Sequence, residues 1–112
     1  MIAKAKKSFH GKEGLNCAQA VLKAFQKEFN LSEAIIKDTR AAGGGRAEGG
    51  MCGALYAVKL ITYNLDSTIF EDIKDDFEKE AGSIYCKQIR RLRKLTCREC
   101  VGLAAQKLEE YS

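Results

Sequence analysis

A chain of 112 residues, 46% hydrophobic and 30% charged, has the size and balance of one soluble globular domain spanning 1–112. Its N-terminal lysines precede no apolar stretch and no later run is long and apolar enough for a membrane, so a secretory signal and a membrane span are both excluded and a cytoplasmic location is expected. A net charge of +4 is too mild to mark a nucleic-acid binder, and the absence of proline favours helices joined by short glycine turns.

In chain order, residues 2–9 are expected to form a short lysine-rich helix. Asn16 then caps a helix whose apolar face carries Cys17, Val21, Ala24 and Phe25. Asn30-Leu31-Ser32 breaks it, and Ser32 caps a second helix carrying Ile35 and Ile36. No helix is expected through the glycine-rich residues 43–50, which lead into a central apolar helix with Leu55, Tyr56, Val58, Leu60 and Ile61. After a turn at Asn64–Ser67, Thr68 and Glu71 have capping-box spacing for a helix that buries Ile69, Ile73 and Phe77. Gly82-Ser83 ends that helix and begins another with Cys86 and Ile89. Thr96 and Glu99 repeat the capping-box spacing before a last helix with Cys97, Val101, Ala104 and Leu108 on its core face. No segment alternates with period two. The expected fold is all-α, a compact bundle of about five to six short helices with a glycine-rich loop before a central helix.

Five cysteines in a cytoplasmic chain are not a disulfide framework, which leaves redox, metal-binding and plainly buried roles open. Every one of them, Cys17, Cys52, Cys86, Cys97 and Cys100, falls in or next to an expected first helical turn. Unpaired N–H groups and the positive end of the helix dipole favour a thiolate there, and the thiolate is both nucleophile and metal ligand. Any single cysteine of the set is better explained by packing as a small hydrophobe; the shared placement of all five tilts the reading towards function. Cys97-Arg98-Glu99-Cys100 is a CxxC, whose ends share a helix face and suit a redox pair or one metal. The one histidine, His10, has no partner in sequence and reads as a surface residue.

Six of the ten glycines, Gly43, Gly44, Gly45, Gly49, Gly50 and Gly53, lie in one segment that also holds Arg46 and Glu48. Such a loop before a helix can cradle an anionic cofactor, or it can simply connect closely packed helices. It lacks the lysine and hydroxyl of a phosphate-binding P-loop. Lys87, Arg90, Arg91, Arg93, Lys94 and Arg98 form a stretch free of acids. Contact with nucleic acid or another anion is one reading and a solvated helix face the favoured one; a further, milder role is a field that helps hold nearby thiolates.

These pieces resemble the C_GCAxxG_C_C family, described as redox-active and named for four cysteines. The resemblance is carried by Asn16-Cys17-Ala18-Gln19-Ala20-Val21-Leu22, by Gly43-Gly44-Gly45 with Gly49-Gly50-Met51-Cys52-Gly53-Ala54-Leu55, by Ala81-Gly82-Ser83-Ile84-Tyr85-Cys86, and by Cys97 to Val101 with Ala104-Ala105. It implies that Cys17, Cys52, Cys86 and Cys97 are the family's four cysteines, with Cys100 additional, and that they bind a redox prosthetic group such as an iron–sulfur cluster. Two departures stand out. The family expects glycine where this chain has Ala57, and the stretch from Cys86 to Cys97 is short, so the fourth role falls to Cys97 or Cys100.

Two functions follow. In the first, the cysteines cycle as thiols and disulfides, or hold zinc or an iron–sulfur cluster, and exchange electrons with an oxidoreductase or electron-transfer partner. In the second, the chain is a non-catalytic helical binding module, and the glycine loop and basic surface take an anionic ligand or a protein partner. No Ser–His–Asp set is present to support hydrolysis.

Overall fold

A computed structural model describes residues 6, 9, 15–42, 48–63 and 67–110. The described residues form six α-helices: α1 (Cys17–Ala24), α2 (Glu33–Asp38), α3 (Gly53–Thr62), α4 (Ser67–Ala81), α5 (Cys86–Leu92) and α6 (Cys97–Glu110). Short 3-10 turns lie at Thr39–Ala42 and Glu48–Gly50. There is no β-strand among the described residues, so the protein is all-α as its periodicity indicates; two isolated backbone bridges join Phe9 to Leu15 and Met51 to Tyr85. The helix expected over residues 2–9 lies outside the described residues except at two positions, as does His10.

Local chemistry starts most of these helices where the sequence places them. Asn16 Oδ1 accepts from the Gln19 amide at 2.8 Å, and Gln19 Oε1 accepts from the Asn16 amide at 3.2 Å, a reciprocal capping box. The segment after α1 ends at Asn30, whose φ of 53° is a left-handed conformation that asparagine tolerates. Ser32 Oγ then accepts from the Ile35 amide at 3.2 Å to cap α2. At α6 the Thr96–Glu99 box forms in both directions, at 2.9 and 3.1 Å.

Three starts differ from expectation. The helix expected after Thr68 begins at Ser67, so Thr68 lies inside the first turn of α4. Ser83 does not open a helix. Its hydroxyl accepts from the Tyr85 amide at 3.0 Å, and this turn delays α5 to Cys86. Within the glycine segment, Glu48–Gly50 takes a 3-10 turn, kinked by left-handed φ values of 66° at Gly49 and 79° at Gly50.

The core lies where α1, α3 and α6 meet. The most extensive contact is α1 against α3, and α4 covers α3 and α6 from outside. Val21 and Leu22 from α1 and Phe25 at its C-terminal end meet Leu55 and Val58 from α3 and Val101 and Leu108 from α6, all essentially without exposure. Ile73 and Phe77, one turn apart on α4, close this core. Each such side chain contributes roughly 1.5–3 kcal/mol through burial. The pairing of Lys107 with Glu80 at 3.5 Å joins α6 to α4 at the surface.

Candidate functional site: a cluster of cysteines at helix starts

The five cysteines occupy equivalent local positions on four helices. Cys17, Cys86 and Cys97 are the first residues of α1, α5 and α6; Cys52 is the residue that caps α3; Cys100 lies in the opening turn of α6. None of the five is in a disulfide. Cys17, Cys52, Cys86 and Cys100 are buried, and Cys97 is half-buried. The sequence pattern puts Cys97 on the core face of the last helix, but the structure gives that place to Cys100, only 2% exposed, and leaves Cys97 at the edge.

Non-local backbone contacts bring these helix starts together. The amide of Cys52 donates to the carbonyl of Ile84 at 2.7 Å, beside the bridge between Met51 and Tyr85. The bridge is antiparallel and sets Cys52 opposite Ile84, two residues before Cys86, and the two thiols are close enough to interact electrostatically. Asn16 fixes the start of α1 in a similar way. Its Nδ2 donates to the carbonyls of Thr39 at 3.2 Å and Arg40 at 2.8 Å, while Gln19 Nε2 donates to the carbonyl of Ile36 at 2.9 Å. Cys17 is therefore bracketed by polar groups that anchor its turn to α2 and the 3-10 turn that follows.

Cys52, at the start of α3, and Cys100, in the opening turn of α6, are buried in the core where these two helices pack, and their side chains interact. The Cys100 thiol donates to Cys52, and this lowers the Cys52 pKa from 9.0 to about 7 against the opposing effect of burial. The amides of Leu55 and Ala54 in the first turn of α3 add to the effect, and the Arg90 charge adds further. No full capping hydrogen bond forms between the Cys52 side chain and those amides, so they act here mainly as a field. Cys100 is pushed strongly upwards, first because it donates to Cys52 and then by burial. One proton leaves this pair readily and the other is held.

Arg90 stands among the remaining sulfurs. Its Nη2 lies 3.9 Å from Cys97 Sγ, within donating distance of sulfur. Its charge also acts on Cys86 and Cys17. Burial raises the Cys86 pKa, Arg90 opposes that, and Cys52 and Cys97 add to the rise. Within the basic stretch, Arg90 touches a cysteine, and its position four residues after Cys86 on α5 is the signal that could have found it.

Of the other expected site residues, Gly43, Gly44, Gly45 and Arg46 lie outside the described residues. Gly49 and Gly50 make the turn before Cys52, and Gly53 is the buried first residue of α3. Ala57, where the resemblance expects glycine, is fully buried. Among the described residues, no group of three or more His, Cys, Asp or Glu side chains is arranged to hold a metal ion. No helix among them is long and apolar enough to cross a membrane. Two open grooves, of about 370 and 430 Å³, are lined without any cysteine.

The described residues form an all-helical domain with five cysteines at helix starts, none of them in a disulfide. The chain belongs to the family "Putative redox-active protein (C_GCAxxG_C_C)", whose model matches residues 15–111. No curated protein and no solved structure matches it.

Proposed function

We propose that this protein is a thiol–disulfide redox protein whose reacting pair is Cys52 and Cys100. The supporting observation is that Cys52, which caps α3, and Cys100, in the opening turn of α6, are both buried in the core where these two helices pack, with Cys100 acting to lower the Cys52 pKa. The Cys52 thiolate attacks one sulfur of a substrate disulfide, R–S–S–R′, releasing R′S⁻ and leaving Cys52 bonded to RS. Cys100 gives up its proton to the departing RS⁻ and attacks Cys52, forming the Cys52–Cys100 disulfide and freeing RSH. Two electrons pass from the protein pair to the substrate, which becomes two thiols. The reverse sequence reduces the protein.

On this reading Cys100 takes the family's fourth role, and the other cysteines surround the pair. The partner is an oxidoreductase or electron-transfer protein, and the compartment is a reducing one such as the cytoplasm, where a cysteine pair that cycles is expected and a static disulfide is not. Cysteine donors have the right chemistry for zinc or an iron–sulfur cluster. The described cysteines do not converge as a ligand set, however, so the reaction is built on the sulfur pair.

The test is oxidation of anaerobically purified protein with diamide, a small thiol oxidant, followed by peptide mapping and analysis of iron, sulfide and zinc. A Cys52–Cys100 disulfide in metal-free protein is the expected result. Two unreacted thiols at these positions, or stoichiometric iron and sulfide bound through the cysteines, would overturn the proposal.

A further inference from the structure

The proposed pair is buried, and a bulky disulfide cannot reach it directly. Cys52 is 5% exposed and Cys100 2%, while Cys17 and Cys86 are hardly more open. Cys97 differs from all four in being half-buried. It opens the same helix that carries Cys100, three residues earlier, so the two side chains share one face of α6. It is also the cysteine that Arg90 contacts, from an exposed position on α5. Accessibility, a cationic hydrogen-bond donor and a shared face with the buried pair meet at this one sulfur.

We propose, resting on the Cys52–Cys100 reading, that Cys97 is the entry thiol that exchanges with the external disulfide and passes oxidation inward, and that Arg90 is the positioning residue that donates to its sulfur. Cys97 attacks R–S–S–R′, forming a mixed disulfide with R and releasing R′S⁻. Cys100 then attacks Cys97, losing its proton to the departing RS⁻ and forming a Cys97–Cys100 disulfide. The Cys52 thiolate attacks Cys100, and Cys97 leaves as a thiolate beside Arg90. The net change is one substrate disulfide reduced to two thiols and the Cys52–Cys100 disulfide formed, with Cys97 restored. Arg90, 3.9 Å from the Cys97 sulfur, can donate to it both when it attacks and when it leaves. Cys97 is thus a catalytic residue for large or polar disulfides, and a small oxidant that penetrates the core has no need of it.

The experiment compares two oxidants, oxidised glutathione and diamide, on the full chain and on Cys97→Ser, Arg90→Gln, Arg90→Lys and Arg91→Gln. Formation of the Cys52–Cys100 disulfide is followed by quenched peptide mapping. Cys97→Ser is expected to slow oxidation by oxidised glutathione at least tenfold and to leave oxidation by diamide unchanged. Arg90→Gln is expected to slow the glutathione reaction severalfold, Arg90→Lys to recover most of the rate, and Arg91→Gln to match the wild type. In Cys100→Ser, a glutathione adduct should accumulate on Cys97. Oxidation of Cys97→Ser by glutathione disulfide at the wild-type rate would overturn the entry role. Equal rates for Arg90→Gln and wild type would overturn the role of Arg90. Failure of diamide to form the Cys52–Cys100 disulfide in the wild type would instead remove the underlying pair, a different and separately visible result.

Discussion

Replacing Cys100 with alanine removes the donor that does most to hold the Cys52 thiolate. What remains is burial, which favours the neutral thiol, against the two helix amides and the more distant Arg90. The Cys52 pKa should therefore climb from about 7 to its ordinary value of 9.0 or above. A shift of that size corresponds to about 2.7 kcal/mol, and it lowers the thiolate fraction at pH 7 from about one half to about one part in a hundred. The assay is a pH titration of ultraviolet thiolate absorbance on reduced protein, with Cys52→Ala to assign the low step. Cys100→Ser serves as the companion variant, because its hydroxyl can still donate and should keep part of the shift. A low step that stays near pH 7 in Cys100→Ala would refute the reasoning and hand the effect to the helix start alone.

Three further outcomes are expected. Stability should rise as pH climbs from about 7 to 9, because the folded chain has released the first proton of the pair while unfolded thiols still hold theirs; above the ordinary value of 9.0 it should fall, because Cys100 and Cys86 keep their protons more tightly than unfolded thiols do. Denaturant titrations across this range should show the maximum in wild type and a flatter profile in a Cys52→Ala, Cys100→Ala double variant. Asn16→Ala should cost about 1–2 kcal/mol by denaturant unfolding, since it loses both the capping box of α1 and the tethers to Thr39 and Arg40. Gly82→Ala should cost at least about 1 kcal/mol in the same assay, because φ there is 88° and a Cβ would sit 2.7 Å from Leu92 Cδ1.

Most of the fold is legible from neighbouring residues because most of its starting signals are local. The Thr96–Glu99 box, the Ser32 cap and the Asn16 cap each act across three residues and form as the sequence suggests. Ser83 misleads because a serine hydroxyl serves a turn as well as a helix cap, and only the later course of the chain decides between them. The cysteine site is legible only in part. That each cysteine stands at a helix start follows from local patterning; which sulfur meets which does not. The contact of Cys52 with Cys100 depends on how α3 packs against α6, and the approach of Cys52 to Cys86 depends on a bridge between two loops far apart in sequence. Cys97 and Cys100 illustrate the limit most clearly. Helical periodicity allows either to join the stripe of Val101, Ala104 and Leu108, and burial by neighbouring helices chooses Cys100.

Burial and charge pull the reduced pair in opposite directions, and the outcome bears on its redox behaviour. A thiolate in an apolar core is costly, and forming a neutral disulfide would relieve that cost. Yet the Cys52 pKa lies below its ordinary value despite burial, so the Cys100 donor, the α3 amides and Arg90 together outweigh desolvation. Groups that stabilise the thiolate stabilise the reduced protein and leave the disulfide relatively easier to reduce, as low-pKa thiols do in strongly oxidising thiol proteins. The Cys52–Cys100 disulfide should therefore have a potential above the range below about −300 mV typical of structural disulfides, and removing the Arg90 charge should lower it. Equilibration in glutathione redox buffers reads the potential directly. A disulfide that glutathione cannot reduce would mean that burial, and not the thiolate-stabilising groups, governs the pair.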